Sequence, residues 1–402
     1  MTVKIIPSKV SGRVKAPSSK SMSHRLLICA GLSEGESTVE NIAYSEDVLA
    51  TLDCLELMGA KIIRGTDFVR IKGASPAEST GADYFCRESG STLRFFLPIA
   101  MLSENESSFR GCGRLMERPM TVYEEIAAQK GLYYRNNGME LSVRGKLTSG
   151  VYNVAADISS QFISGLLFAL PLCEGDSKII LEGNIESRSY IDMTLEAMNM
   201  FGVSAYWEGN SLIIKGGQRY IGRRLTVESD CSNAAFLDAF NLMGGDVCVT
   251  GLREDTLQGD YVYAEYFQQL KEGRPVLDMS NCPDLAPVIM TLAAELNGAV
   301  LKGTARLKIK ESDRGEVMKQ ELSKFGADIE IFTNEIVINK TRLRTAAEPL
   351  LSHNDHRVVM SLAVLCSKYG GEICGCEAVK KSYPDFFERI AELGLEAKIN
   401  DN

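Results

Sequence analysis

"LELMGAKIIR", residues 55–64, reads as the end of a helix, a glycine and the start of a strand. The same order recurs in "AAQKGLYYR" (127–135), "MNMFGVSAYW" (198–207), "QQLKEGRPVL" (268–277), "LSKFGADIEI" (322–331) and "AELGLEAKI" (391–399). A glycine after the last helical turn suits a left-handed cap. The six glycines, Gly59, Gly131, Gly202, Gly273, Gly326 and Gly394, are spaced 72, 71, 71, 53 and 68 residues apart. A repeat of that length is one supersecondary unit used many times.

Between these signals lies a second strand pattern: "GESTVENI", "NESSFRGC", "GDSKIILEG", "GGDVCVTGL", "NGAVLKGT" and "GGEICGCE". Each follows an apolar helix, as in "RLLICAGL", "FFLPIAML", "FISGLLFAL", "NAAFLDAF", "PVIMTLAAEL" and "VVMSLAVLC". The unit therefore reads strand, helix, strand, helix, strand, with one helix apolar enough for complete burial. Six copies in two lobes of three would bury those helices together. A chain of 402 residues is the right length for two such domains.

The composition is that of a globular protein, with 45% hydrophobic and 24% charged residues and a net charge of −9. A negative balance opposes nucleic acid and anionic membrane unless cations are locally concentrated. The longest uncharged apolar stretch, near Leu285–Ala294, is too short for a bilayer, and "MTVKIIPSKV" has no signal-peptide core. A cytoplasmic protein is expected. Eleven cysteines without a C-x-x-C pair predict reduced, mostly buried thiols, with Cys374 and Cys376 alternating on a strand. His353 and His356 are the one close histidine pair, and no ligand cluster completes a metal site.

Charged residues gather just ahead of helix starts. In "APSSKSMSHRLLICAGL" (16–32), Pro17 and the serines suit a capped start, which places Lys20, Ser21 and Arg25 at a positive helix terminus. In "ESGSTLR" Gly90 permits close backbone approach, while Ser89, Ser91 and Thr92 supply donors. "SSQF" (159–162) reads as a cap with an added amide. "KESDR" packs Lys310, Glu311, Asp313 and Arg314 onto a helix start, with Ser312 or Asp313 as its cap. "NDHR" places Asp355 at a cap, with His356 and Arg357 on the first turn of a very apolar helix, where a cation needs an anionic partner. Asp284 in "CPDLAP" is an N-cap or a general base. Taken singly, each is an ordinary cap or solvated charge. Taken together, Lys20, Arg25, Arg94, Arg118, Lys310, Arg314, Arg357 and Lys381 against Asp284, Glu311 and Asp313 imply a cationic site in an acidic protein, suited to a small, multiply anionic substrate.

The ordered run "SSKSMSHR", "GSTLR", "ERPM", "SSQF", "SRSYID", "PDLAP", "KESDR", "NDHR" and "KKSYPDFF" resembles the 5-enolpyruvylshikimate-3-phosphate synthase (3-phosphoshikimate 1-carboxyvinyltransferase) family over nearly the whole chain. The resemblance implies an α/β (α+β) two-lobed enolpyruvyl transferase fold of six βαβαββ units, three per domain. It divides the chain into residues 19–228 and a discontinuous lobe of 1–18 with 229–402, with the active site in the cleft between them. It also implies that shikimate 3-phosphate meets Lys20, Ser21, Arg25, Ser159, Ser160, Gln161, Ser187, Tyr190, Asp284 and Lys310. Phosphoenolpyruvate would meet Lys20, Gly90, Arg118, Gln161, Arg314, Arg357 and Lys381.

Lys20 and Glu311 are the catalytic candidates for proton delivery and withdrawal, and Asp284 for accepting the hydroxyl proton. No metal and no organic cofactor is expected, and a monomer without nucleic-acid or membrane partners. Three departures from the family pattern are Glu88, Ser189 and Arg306. The sibling transferase acting on UDP-N-acetylglucosamine is the nearest alternative. Its first motif has Lys-Asn where this chain has Lys20-Ser21, and its reactive loop cysteine would have to be Cys112, which reads better as a buried or turn thiol. An RNA-end-processing or binding protein of related repeat fold is opposed by the charge balance.

Overall fold

In the computed structural model, which describes residues 1–155, 158–183 and 185–400, the repeat expected from the sequence is built out of short strands and capped helices. The chain divides into two compact units, Ser18–Glu228 and Met1–Pro17 joined to Ser229–Asn402. Each has its own apolar core.

The first unit contains helices α1 (Lys20–Gly31), α2 (Glu46–Met58), α3 (Gly90–Ala100), α4 (Thr121–Lys130), α5 (Ser160–Ala169) and α6 (Arg188–Met200). The stretch from Asp83 to Arg144 shows one repeat in a single pass. Asp83–Phe85 and Ser107–Arg110 pair in parallel around α3. The chain then returns through α4 into the hairpin Tyr133–Asn136 and Glu140–Arg144, whose second strand closes the sheet antiparallel. Alternation puts Tyr84, Phe109 and Leu141 in register on the inner face, with the Tyr84 and Phe109 rings stacked at 4.8 Å.

The sheet of Gly150–Ala155, Ser177–Glu182, Ser211–Ile214 and Ala205–Glu208 repeats this order. So does the sheet of Glu36–Glu40, Phe68–Lys72 and Lys61–Arg64, whose parallel edge strand, Arg224–Thr226, comes from the far end of the unit.

Apolar helices fill the space inside these sheets, because α1, α3 and α5 present almost no polar residue beyond their first turns. Side-chain oxygens of Ser19, Ser89 and Ser159 cap them. Gly165 makes the α3–α5 contact possible. A Cβ there would lie 2.3 Å from the Tyr123 hydroxyl and 2.4 Å from the Arg94 carbonyl oxygen.

The second unit contains α7 (Cys231–Leu242), α8 (Tyr263–Glu272), α9 (Ala286–Glu295), α10 (Arg314–Ser323), α11 (His356–Tyr369) and α12 (Phe386–Glu392). Val276–Asp278, Ala299–Lys302, Glu335–Asn339 and Asp328–Ile331 form one four-stranded sheet. In another, Thr2–Ile6 lies antiparallel between Gly371–Cys374 and Glu396–Asn400, with Leu350–Leu351 at the edge. The fourth repeat in chain order is shorter: its sheet is the parallel pair Ser11–Lys15 and Asp246–Thr250. Its helix α8 leads through Gly273, which is extended at φ 174°, straight into the next unit's first strand. The other five signature glycines have φ between 66° and 114°. The missing hairpin accounts for the short 53-residue spacing.

Among the described residues no helix is long and apolar enough to cross a membrane. Eight of the eleven thiols are buried. Cys112 is exposed on a turn rather than buried, and Cys376 begins a 3-10 helix after the left-handed Gly375 instead of alternating with Cys374 on a strand.

Candidate functional site

In the first unit, Gly90 opens α3, and its missing side chain admits two guanidinium groups. A Cβ there would sit 2.6 Å from Nη1 of Arg118, 3.6 Å from Nη1 of Arg94 and 3.6 Å from Oε1 of Gln161. Arg94 is buried and donates to Gln161 Oε1 (2.7 Å) and to the Pro119 carbonyl (3.2 Å), with its Cζ 4.9 Å from the Phe162 ring centroid. Gln161 in turn donates from Nε2 to Ser91 Oγ (2.9 Å). Burial first, and the neighbouring Arg118 cation second, push the Arg94 pKa down to about 9. Nε of Arg94 and of Arg118 are buried with no hydrogen-bond partner among the described residues.

Ser159 caps α5 by accepting from the Gln161 amide (3.3 Å), and Ser160 is buried beside it. On α1, Lys20 Nζ donates to Asp47 Oδ2 at 2.8 Å. One turn on, Arg25 is buried and donates to the carbonyls of Ser21 (2.7 Å) and Tyr190 (2.9 Å) and to Thr194 Oγ1 (2.9 Å). Burial pushes its pKa down to about 10. Ser187 precedes α6 in a left-handed conformation, φ 55°, which is uncommon for a residue with a side chain. Glu88 turns toward the Gly111–Arg114 turn, where a Gly113 Cβ would collide with its carboxylate. Ser189 is half-buried on the first turn of α6.

In the second unit, Asp284 is the centre. Its Oδ1 accepts from Arg314 Nη1 (2.7 Å) and Lys310 Nζ (3.3 Å), and its Oδ2 from Arg357 Nη2 (2.8 Å). Asp355 caps α11 through the Arg357 amide (2.9 Å) and accepts from Arg314 Nε (2.8 Å) and Ser312 Oγ (3.0 Å). Burial works against the Arg314 charge, but Asp355, Asp284 and Glu311 outweigh it and hold its pKa above the usual value. The balance runs the same way at Arg357, where Asp284 is the largest favourable partner.

Arg357 Nε and Nη1 are buried without partners among the described residues. Lys310 keeps 31% of its side chain exposed, yet burial of its ammonium end and the Arg314, Arg306 and Arg357 charges outweigh Asp284 and push its pKa down to about 8. Glu311 Oε2 pairs with His356 Nδ1 (2.8 Å) and its Oε1 lies 3.8 Å from Arg314 Nη2. Lys381 donates to the Asn354 carbonyl in the loop leading into α11. Arg306 donates to the Ser280 carbonyl (2.8 Å).

Glu311, Asp355 and His356 are close enough together to hold a cation. Arg314 bonded to Asp355 already supplies the positive charge there. Asp313 is taken up in capping α10 through the Glu316 amide (3.3 Å).

Local sequence patterns overlooked Asp47 and Asp260. Asp47 sits in the first turn of α2 behind Ser45, where an acid is ordinary. Asp260 is buried, hydrogen-bonded by Ser232, and close enough to Arg357 to influence its charge. Burial first and Asp284 second raise its pKa to about 7.

Repeated βαβαββ units that gather cations at the starts of buried helices define a protein built to handle small polyanions. A family profile described as EPSP synthase (3-phosphoshikimate 1-carboxyvinyltransferase) matches residues 5–390. A protein of Clostridium kluyveri named 3-phosphoshikimate 1-carboxyvinyltransferase is 40% identical over 420 residues, covering 98% of this chain and 97% of its own. A protein of the same name from Clostridium perfringens strain 13 is 39% identical, covering 97% of each chain. The solved EPSP synthase of Acinetobacter baumannii superposes with a TM-score of 0.82 at 24% identity over the full length of both chains. The chain belongs to the EPSP synthase family, the 3-phosphoshikimate 1-carboxyvinyltransferases of the shikimate pathway.

Proposed function

We propose that the chain transfers the enolpyruvyl group of phosphoenolpyruvate to the 5-hydroxyl of shikimate 3-phosphate and releases inorganic phosphate. The observation that carries the reading is the pair of crowded guanidinium groups over Gly90, Arg94 and Arg118, with buried N–H groups left over. Like charges held together in a buried place are stabilised by an anion. Phosphoenolpyruvate carries a carboxylate and a phosphate that fit such donors.

Gly90, Arg118 and Gln161 are assigned to phosphoenolpyruvate, with Arg314, Arg357 and Lys381 from the second unit. Ser21, Arg25, Ser159, Ser160, Gln161, Ser187 and Tyr190 are assigned to shikimate 3-phosphate, with Asp284 and Lys310. Lys20 serves both.

A proton reaches the methylene carbon from Lys20 or Glu311, and the adjacent carbon becomes electrophilic. The 5-hydroxyl oxygen bonds to that carbon as its proton passes to Asp284. The tetrahedral adduct then loses a methyl proton and expels phosphate, restoring the double bond. Arginine and lysine charges stabilise the anionic adduct throughout, by orientation and electrostatics.

Phosphate release from phosphoenolpyruvate, measured separately with shikimate 3-phosphate and UDP-N-acetylglucosamine, tests the reading. Release with the first alone is expected. Release with the second alone overturns the acceptor, and release with neither overturns the reaction.

A further inference from the structure

Beneath the Lys20–Asp47 ion pair runs a second, uncharged crossbar. His24 lies one turn after Lys20 on α1, and Thr51 one turn after Asp47 on α2. His24 Nδ1 is 2.7 Å from Thr51 Oγ1, Thr51 Oγ1 is 2.8 Å from Thr92 Oγ1, and Thr92 Oγ1 donates to Ser89 Oγ at 2.7 Å. All four side chains are buried, and Ser89 is the cap of α3, immediately before Gly90. The row therefore ties the helix that carries Lys20 to the helix that carries Gly90 and Ser91.

Proton counting gives the row a direction. Each threonine has one hydroxyl proton. That of Thr92 goes to Ser89, so Thr92 must accept from Thr51, whose own proton is then spent. Thr51 must accept in turn, and the donor left is His24 Nδ1. That order makes the ring the Nδ1–H tautomer and leaves Nε2, which has no partner among the described residues, without a proton.

We propose that His24, Thr51 and Thr92 are positioning residues: a one-way hydrogen-bonded row that fixes Lys20 on α1 relative to the anion-binding start of α3. The ring stays neutral at working pH. Burial first, then the Lys20 and Arg25 charges, outweigh Asp47 and push its pKa down to about 3. A neutral row can lie between two cationic helix starts without adding charge to either. The proposal rests on the assignment of Lys20 and Gly90 to phosphoenolpyruvate.

Thr51→Val, which keeps the shape and removes the hydroxyl, tests it beside Thr51→Ser, which keeps the hydroxyl. At a temperature where both remain folded, Thr51→Val is expected to raise KM for phosphoenolpyruvate about tenfold, with a smaller change in the KM for shikimate 3-phosphate, and Thr51→Ser to stay near the parent. A lower melting temperature for Thr51→Val with unchanged kinetic constants overturns the positioning role. Should Thr51→Val fail to fold, nitrogen-15 spectra of the unaltered protein decide the direction of the row. The Nδ1–H tautomer supports it and the Nε2–H tautomer overturns it. That spectrum needs no substrate, so a protein inactive on both acceptors would sink the reaction while leaving the row separately tested.

Discussion

The two units place cations at helix starts in opposite ways. In Ser18–Glu228, Arg25 and Arg94 are buried against carbonyls, hydroxyls and an amide, and their pKa values are pushed down. In the other unit Arg314 and Arg357 are buried against carboxylates and theirs are held up. An anion arriving in the first unit finds charge waiting for it. One arriving in the second must share cations with Asp284, which makes that carboxylate responsive to what binds. An acid–base group that changes partners during turnover belongs in the second environment, and a fixed anion cradle in the first.

The Arg314–Asp355 pair is the firmest part of the contrast, and breaking it should have the largest effect. Asp355→Ala leaves a buried guanidinium short of its partner and removes the α11 cap, and is expected to cost about 3–5 kcal/mol in denaturant unfolding. Replacing both partners, with Arg314→Met and Asp355→Leu together, should recover most of that stability but not turnover. If Asp355→Ala alone is neutral, the self-neutralised picture of this unit is wrong.

Asp284→Asn separates charge from shape. The amide can still accept from Arg314 or Arg357 but cannot take up a proton, so kcat should fall by about a hundredfold or more with the fold intact. Near-normal turnover would move the base elsewhere. On the other side of the comparison, Gly90→Ala crowds only the flexible end of Arg118, and KM for phosphoenolpyruvate should rise about tenfold while stability stays within about 1 kcal/mol. An unchanged KM would mean that Arg118 is not held over the helix start by the missing side chain.

The sequence made some of this legible because the signals are local. Serine caps, apolar runs and a glycine after each helix lie within a few residues of what they determine, so the repeated helices could be read directly. The 53-residue interval between Gly273 and Gly326 also recorded a hairpin that the fourth repeat lacks. That record is visible only once the strands are paired. Arg224–Thr226 pairing with Thr38–Glu40, and Thr2–Ile6 between two strands from the other end of the chain, are long-range facts that no period in the sequence encodes. The site divides likewise. Lys20, Gly90, Asp284 and Arg357 stood out by their place at helix starts. The Asp47 and Asp260 partners, and the bonds from Arg314 to Asp355, 41 residues away, depended on tertiary packing.

Lys310 gives the finest test, because of the three cations bonded to Asp284 it is the one held most loosely. Its oxygen partner among the described residues, Asp284 Oδ1 at 3.3 Å, is shared with Arg314, and its ammonium is discharged more readily than that of an exposed lysine. A lysine whose pKa is near 8 is charged below that pH and neutral above it. If its charge grips shikimate 3-phosphate, kcat/KM should fall by about threefold between pH 7.5 and 8.5. Lys310→Arg retains the charge to much higher pH, so the variant should lose that alkaline limb even if its overall rate is lower. A limb that persists in Lys310→Arg would assign the titration to another group and place Lys310 with Arg314 and Arg357 as a permanently charged contact.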